Sequence, residues 1–265
     1  MPRLRLLLCS TILFIVSPLS LTIQAQDLDD YGEYGVDWGG YLFGLKGGIG
    51  GANQDWTGLE TELMLGFHGA LYLETIPSNG RFSFYGQLGY HTRGSRISRR
   101  RAFTFGGGRV TLPSDDFRFQ NISLGIGAKS VVSYTRFADL YYTLGLRAEY
   151  QLSNNLDDYN QLETTTNIAF RLNYPFDSPD FINEFVYGAS FGGGALFPIS
   201  DKIGGFLELT AHPDFSLQYS QGPINNVIDP FTNSGTRTIG PRMIRNFTLE
   251  LSVGIRFLRK WDYVD

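Results

Sequence analysis

The chain has a single cysteine, Cys9, and it lies in the first apolar run. Disulfides and thiolate metal sites are thereby excluded from everything downstream. Histidine is nearly as scarce, with His68, His91 and His212 the whole complement. No two of them share a ligand spacing, so no metal and no cofactor is expected. Charged residues make up only 18% of the chain, with a net charge of −4, which argues against a nucleic-acid partner. After residue 23 no apolar run approaches the length of a membrane helix, and mean hydropathy is only −0.12. What the chain does hold is aromatics, at 15%, and 32 glycines.

The first segment reads as an address label. Arg3 and Arg5 precede an apolar run from Leu6 to Ile23 that is broken by Pro18. Gln24-Ala25-Gln26 then offers a small residue for signal peptidase. A permanent membrane helix is the competing reading. Pro18 and the acids Asp27, Asp29 and Asp30 favour cleavage near Ala25. Cys9 sits too early in the run for a lipoprotein anchor. Cleavage removes two arginines and no acid, so −4 becomes −6.

The last part of the chain is the most informative. From Phe247 to Phe257 every odd position is apolar and every even one is polar or glycine. A period of two is a strand with one apolar and one wet face. The wet face carries Glu250 and Arg256, which an ordinary soluble core rejects unless they are paired. A wall between lipid and a polar lumen needs this pattern over about 9–11 residues.

Similar alternation recurs at 41–50, 59–75, 81–93, 117–129, 140–152, 184–197, 202–219 and 244–258. The fourth stretch slips phase between Phe119 and Ile122, which predicts a bulge, and Pro213 predicts a loosening of pairing in the seventh. Short connections (76–80, 130–139, 198–201) alternate with long ones (95–116, 153–183, 220–243), although the first, 51–58, is short. Short periplasmic turns and long external loops are the habit of outer-membrane barrels. The expected fold is all-β: an eight-stranded antiparallel up-and-down transmembrane β-barrel in the cell outer membrane. Residues 1–25 form the signal peptide, 26–40 a periplasmic segment, 41–258 the barrel and 259–265 a periplasmic tail. A soluble periplasmic barrel that holds a lipid is a weaker alternative.

Inward glycines leave room for larger polar groups. Lys46, Glu62, Lys129, Arg147, Glu149, Glu208, Glu250 and Arg256 are expected to pair there as a charge network, giving a plugged interior. A second set of charges, Arg93, Arg96, Arg99, Arg100, Arg101 and Arg109, clusters after the third strand. Guanidinium forks suit phosphate and carboxylate. Arg96, Arg99, Arg100, Arg101 and Arg109 are therefore candidates to bind lipopolysaccharide or an acidic glycan, besides the surrounding membrane lipids. Hydrolysis has two conceivable starts, His91 near Ser95 and His212 near Asp214 and Ser216. Neither sits in a motif, and no enzyme activity is expected. The glycine runs at 47–51 and 125–130 lack phosphate-loop spacing.

Five segments carry a family resemblance: residues 44–49 (Gly-Leu-Lys-Gly-Gly-Ile), 88–95 (Leu-Gly-Tyr-His-Thr-Arg-Gly-Ser), 119–129, 142–150 and 249–257. In their order and spacing they resemble the PorT-like outer-membrane β-barrel family of Bacteroidetes-type bacteria. The resemblance implies an eight-stranded outer-membrane barrel. It also implies, as an alternative to a structural or binding role, a component of a type IX-like secretion machinery with envelope or secretion proteins as partners. The chain departs from a common ending, because Phe257 is followed by eight further residues.

Overall fold

In a computed structural model, residues 39–56, 61–76, 81–97, 101–103, 108–111, 115–158, 178–228 and 235–261 are described. The expected signal peptide, the acidic segment after it and residues 262–265 lie outside them, as do Arg99 and Arg100 and the side chains of Arg101 and Arg109.

Eight long strands form the wall: β1 (Gly39–Trp56), β2 (Met64–Thr75), β3 (Phe82–Ile97), β4 (Asp115–Tyr134), β5 (Asp139–Asn154), β6 (Phe185–Ser200), β7 (Ile203–Pro213) and β8 (Arg242–Trp261). Each pairs antiparallel with its neighbour in sequence. The ring closes where β1 meets β8, in unbroken register from Gly39↔Trp261 to Trp56↔Ile244. Closure leaves no long edge unpaired, which is what a sheet in lipid requires.

The strands run past the predicted bounds at both ends. Gly39 and Gly40 pair with Trp261 and Lys260, so the barrel includes residues assigned from sequence to the flanking segments. At the other end Thr61–Glu62 pairs with β3, and Tyr219–Gln221 with β8. Two short hairpins, Arg101–Phe103 with Arg109–Thr111 and Ile224–Ile228 with Thr236–Ile239, stand at that same end. Turns at 135–138 and 201–202 connect strands at the end that holds residues 39 and 261. Short turns are the habit of the periplasmic side of such barrels, and the two ends are named on that expectation.

The expected bulge is found, but its extra residue lies elsewhere. Gln120 pairs with Ser153 and Asn121 with Gln151, so Leu152 of β5 is the unmatched one. The phase slip in the sequence has a separate cause. Phe117 and Phe119 keep the inward parity of β4 and are fully buried above the polar lumen. Strand β7 ends at Pro213, which cannot donate to the ladder.

The outer face is apolar. On β2 and just before it, Leu63, Leu65, Phe67, Leu71 and Leu73 are exposed, and on β8 so are Phe247, Leu249, Leu251, Val253 and Ile255. Phe67 is 74% exposed and Leu65 72%. Comparable side chains cover the other strands, including Leu124, Ile126, Leu144, Leu146 and Leu209. A continuous belt of this kind far exceeds what water tolerates on a monomer, and it is the lipid face of the barrel. No helix among the described residues is long and apolar enough to cross a membrane; this barrel crosses with strands.

Inside, glycine makes room for rings. A Cβ at Gly254 would lie 2.3 Å from the ring of Phe206, and one at Gly127 or Gly145 would lie 2.7 Å from the Tyr85 hydroxyl. Phe206 joins Val131, Tyr141 and Leu196 in a cluster that Tyr72 packs against, its ring 5.5 Å away edge-on. This plug lies toward the periplasmic end. Toward the other end, Trp56 stacks on Phe117 at 4.8 Å, with Phe119, Tyr219 and Ile244 buried nearby in the strands.

Candidate functional site: the polar lumen

Between the two apolar plugs lie most of the buried charges of the chain. Those nearest the periplasmic plug are paired one to one. The Lys46 ammonium donates to Glu208 at 2.6 Å, and Lys129 donates to Glu74 at 2.9 Å. Tyr141 donates to the other oxygen of Glu208 at 2.9 Å, and Ser83 to the other oxygen of Glu74 at 2.7 Å. A cavity of about 30 Å³ separates these pairs and reaches Ser190, Thr210 and His212. That is room for one or two waters.

Toward the external end, two arginines and two acids form a four-membered clamp with side-chain exposure of 0% throughout. Arg93 lies 2.9 Å and Arg147 2.8 Å from the same Glu149 oxygen. Arg147 also holds Asp214, and Arg93 reaches it at 3.5 Å. Asn121 donates to Glu149 at 2.9 Å, and Asn246 to Asp214 at 2.9 Å. The charges are met at close range, whereas Glu149 Oε1, Arg93 Nε and Nη2, and Arg147 Nε and Nη1 have no hydrogen-bond partner of their own among the described residues.

Between the two sets sits Glu250. Among the described residues it is the lumen acid with no lysine or arginine within 4.0 Å, and all three histidines of the chain converge on it. His91 Nδ1–H donates to one oxygen at 2.6 Å, and His212 Nε2–H to the other at 3.0 Å. His68 Nε2 lies 3.9 Å from Glu250 and 2.8 Å from the Ser252 hydroxyl. His212 Nδ1 then accepts from Ser190 at 2.9 Å. Glu250 comes from β8, His68 and His91 from the adjacent β2 and β3, and His212 from β7. Register alone pairs His68 with His91; closure of the ring brings Glu250 to them.

The chain Ser190–His212–Glu250 has the order of a nucleophile, base and acid. Ser190 is only 3% exposed, and the cavity beside it is water-sized. A serine must reach its substrate before it can attack. Among the described residues no three ligands are arranged to hold a metal ion.

Several expectations need correction. Glu62 was expected in the lumen, but it is exposed, on a short extension beside Arg96 beyond β2. Arg256 points inward yet has no carboxylate within 4.0 Å among the described residues, so it stands outside the pairing. Arg93 belongs to the clamp and not to the external cluster, because β3 runs on to Ile97 with residue 93 on its inner face. Glu74 and Asp214 complete the network and were not in the expected set. Lys46, Lys129, Arg147, Glu149, Glu208 and Glu250 are lumen residues as the alternation predicts. The suggested catalytic neighbours are also different. Ser95 donates to Gln54 at 2.9 Å, Asp214 belongs to the clamp, and Ser216 donates to the Tyr187 carbonyl at 3.3 Å.

Arg96 does lie on the outside. Its Nε donates to Asp116 at 2.8 Å, and Arg118 approaches the same carboxylate at 3.3 Å. The two guanidiniums are about half exposed, at 49% and 58%. The hydrogen bond from Arg96 holds the Asp116 carboxyl below its usual range. Arg101 and Arg109 lie on paired strands of one hairpin, Arg101↔Thr111 and Phe103↔Arg109.

No family model matches the chain, and no curated protein does either. Among solved structures it is similar to the outer membrane protein OprG from Pseudomonas aeruginosa, with 7% identity and a TM-score of 0.48 over 83% of this chain and 97% of that one. Ail, the attachment invasion locus protein of Yersinia pestis, has 11% identity and a TM-score of 0.34 over 82% of this chain and 98% of its own. The outer membrane protease OmpT from Escherichia coli has 8% identity and a TM-score of 0.35 over 87% and 99%. Likenesses this distant say nothing of what the chain binds or does. The closed ring and its apolar belt make it an outer-membrane β-barrel on their own physical grounds.

Proposed function

We propose that this outer-membrane barrel is non-enzymatic and serves a structural or binding role in the cell envelope through its external end. The observation that carries this reading is the sealed lumen. Among the described residues the lumen charges, Arg256 excepted, are paired with one another, the cavity beside Ser190 has room for one or two waters, and Ser190 itself is only 3% exposed. Contacts with the surroundings then fall to the external extensions. There Arg96 and Arg118 share one acid, and Arg99, Arg100, Arg101 and Arg109 follow in sequence or in the same hairpin. Phosphate and carboxylate are the groups such forks accept, so lipopolysaccharide or an acidic glycan is the preferred partner.

The second reading is a component of a type IX-like secretion machinery. What supports it is the PorT-like resemblance, whose five segments all fall on strands β1, β3, β4, β5 and β8. A clean deletion in the native host, with secreted and surface proteins compared by mass spectrometry, separates the two. Unchanged export with altered binding of envelope glycans supports the binding role. Periplasmic accumulation of a broad set of exported proteins supports the secretion role and sinks the first reading.

A further inference from the structure

The geometry points to a second binding site, at the periplasmic mouth, where Arg256 with Lys202 takes the anionic headgroup of a lipid from the inner leaflet of the membrane. The site lies at the opposite end from the arginine-bearing extensions and is independent of them.

Arg256 breaks the rule that the other lumen cations obey. Lys46, Lys129, Arg93 and Arg147 each have a carboxylate within 3 Å; Arg256 has none within 4.0 Å among the described residues. Its surroundings are nonetheless shaped for it. Its register partners on the two neighbouring strands, Gly44 of β1 and Gly204 of β7, are both glycine. A Cβ at Gly204 would sit 2.8 Å from Arg256 Nε, so the missing side chain is what lets the guanidinium lie there. A half-buried arginine held over a glycine, without an internal counter-ion, is a standing anion site.

The space beyond it is large, about 410 Å³. Arg256 and Lys202 supply positive charge, with Asp201 also on the wall, and Leu42, Ile203 and Leu258 supply apolar surface. A purely polar anion uses only half of this lining; an amphiphile uses both halves. The depth also fits a lipid. Phe43 and Phe257 stack at 5.5 Å on the outer face, each adjacent in sequence to Gly44 or Arg256. Such aromatics mark the headgroup level of a barrel. Ile199, 65% exposed, carries the apolar surface from the belt over the lip of the pocket.

The test uses the full chain in nanodiscs of phosphatidylcholine with and without phosphatidylglycerol, followed by extraction into neutral detergent and native mass spectrometry. The expected result is one retained phosphatidylglycerol per barrel. Retention should fall by about tenfold in Arg256→Gln, since a charge-assisted fork is lost. Gly204→Val, which fills the cradle, and Lys202→Gln should each lower it while keeping the guanidinium. Heat-modifiable migration on gels checks that each variant is folded, and if Arg256→Gln is not, Lys202→Gln carries the test. Equal retention in the parent and every folded variant would mean boundary lipid only and overturn the proposal. Displacement of the lipid by an equal concentration of inorganic phosphate would assign the pocket to a free anion and overturn the lipid.

Discussion

Arg147→Met removes one cation from a clamp in which two arginines face two acids. Arg93 is then left with both Glu149 and Asp214, and all three remaining side chains are fully buried. One negative charge has no counter-ion in a region that water does not reach. Breaking one member of a buried, hydrogen-bonded ion pair costs about 3–5 kcal/mol, most of it the charge left behind. The loss should therefore exceed what side-chain truncation alone explains. A second change separates the two causes. Arg147→Met with Asp214→Asn restores one cation to one acid, and it should recover more than half of the loss. The assay is urea unfolding in detergent micelles, followed by tryptophan emission and by the gel shift of the folded barrel. A single-variant loss below about 1 kcal/mol, in the range of exposed pairs, would refute the reasoning. So would a double variant no more stable than the single one.

Four further outcomes are expected. Gly254→Ala would put a Cβ against the Phe206 ring and should cost about 1–3 kcal/mol as overpacking, read in the same unfolding assay. Leu124→Arg, on the lipid face of β4, should cost about 2–4 kcal/mol, whereas a substitution at the external Arg118 should be near neutral. Asp116 is held low by Arg96, so its contribution is present above the unfolded pKa and is lost as pH falls through the folded one. The stability difference between the parent and Asp116→Asn should accordingly be flat above about pH 5 and shrink as pH falls below the ordinary aspartate pKa of about 3.9. Planar-bilayer recordings should show no large, steady conductance, and a steady open channel would contradict the plugs at Phe206 and Phe117.

The wall was legible in the sequence because its rule is local. A period of two survives without knowledge of any partner strand, so Phe247–Phe257 declares its faces unaided, and the inward parity of Lys46, Arg147 and Glu208 follows. The ends were less legible. Phe117 and Phe119 are apolar and inward, which mimics a phase slip, because the lumen beyond the membrane is closed by aromatics and not by charge. Arg93 shows the same difficulty in reverse. It stands three residues from Arg96 in the chain but faces the lumen, since β3 continues past the belt.

The meeting of His68, His91 and His212 on Glu250 could not be read from spacing. It depends on the ring closing through β1 and β8, which is a property of the whole barrel. A partial signal was available: all four residues share the inward parity of their strands, and a lone acid among inward histidines is a grouping worth testing. The glycines flanking Arg256 were likewise visible as glycines, but only the register sets Gly44 and Gly204 on either side of it.

The most direct test of the central claim is the sidedness of single cysteines in whole cells. Gly108→Cys lies in the hairpin after β3 and Phe137→Cys in the turn between β4 and β5, and a bulky polyethylene-glycol maleimide cannot cross an intact outer membrane. A barrel of the kind described predicts labelling at position 108 in intact cells and at position 137 only after the envelope is breached. Labelling at 137 in intact cells, or equal labelling at both positions, would contradict it.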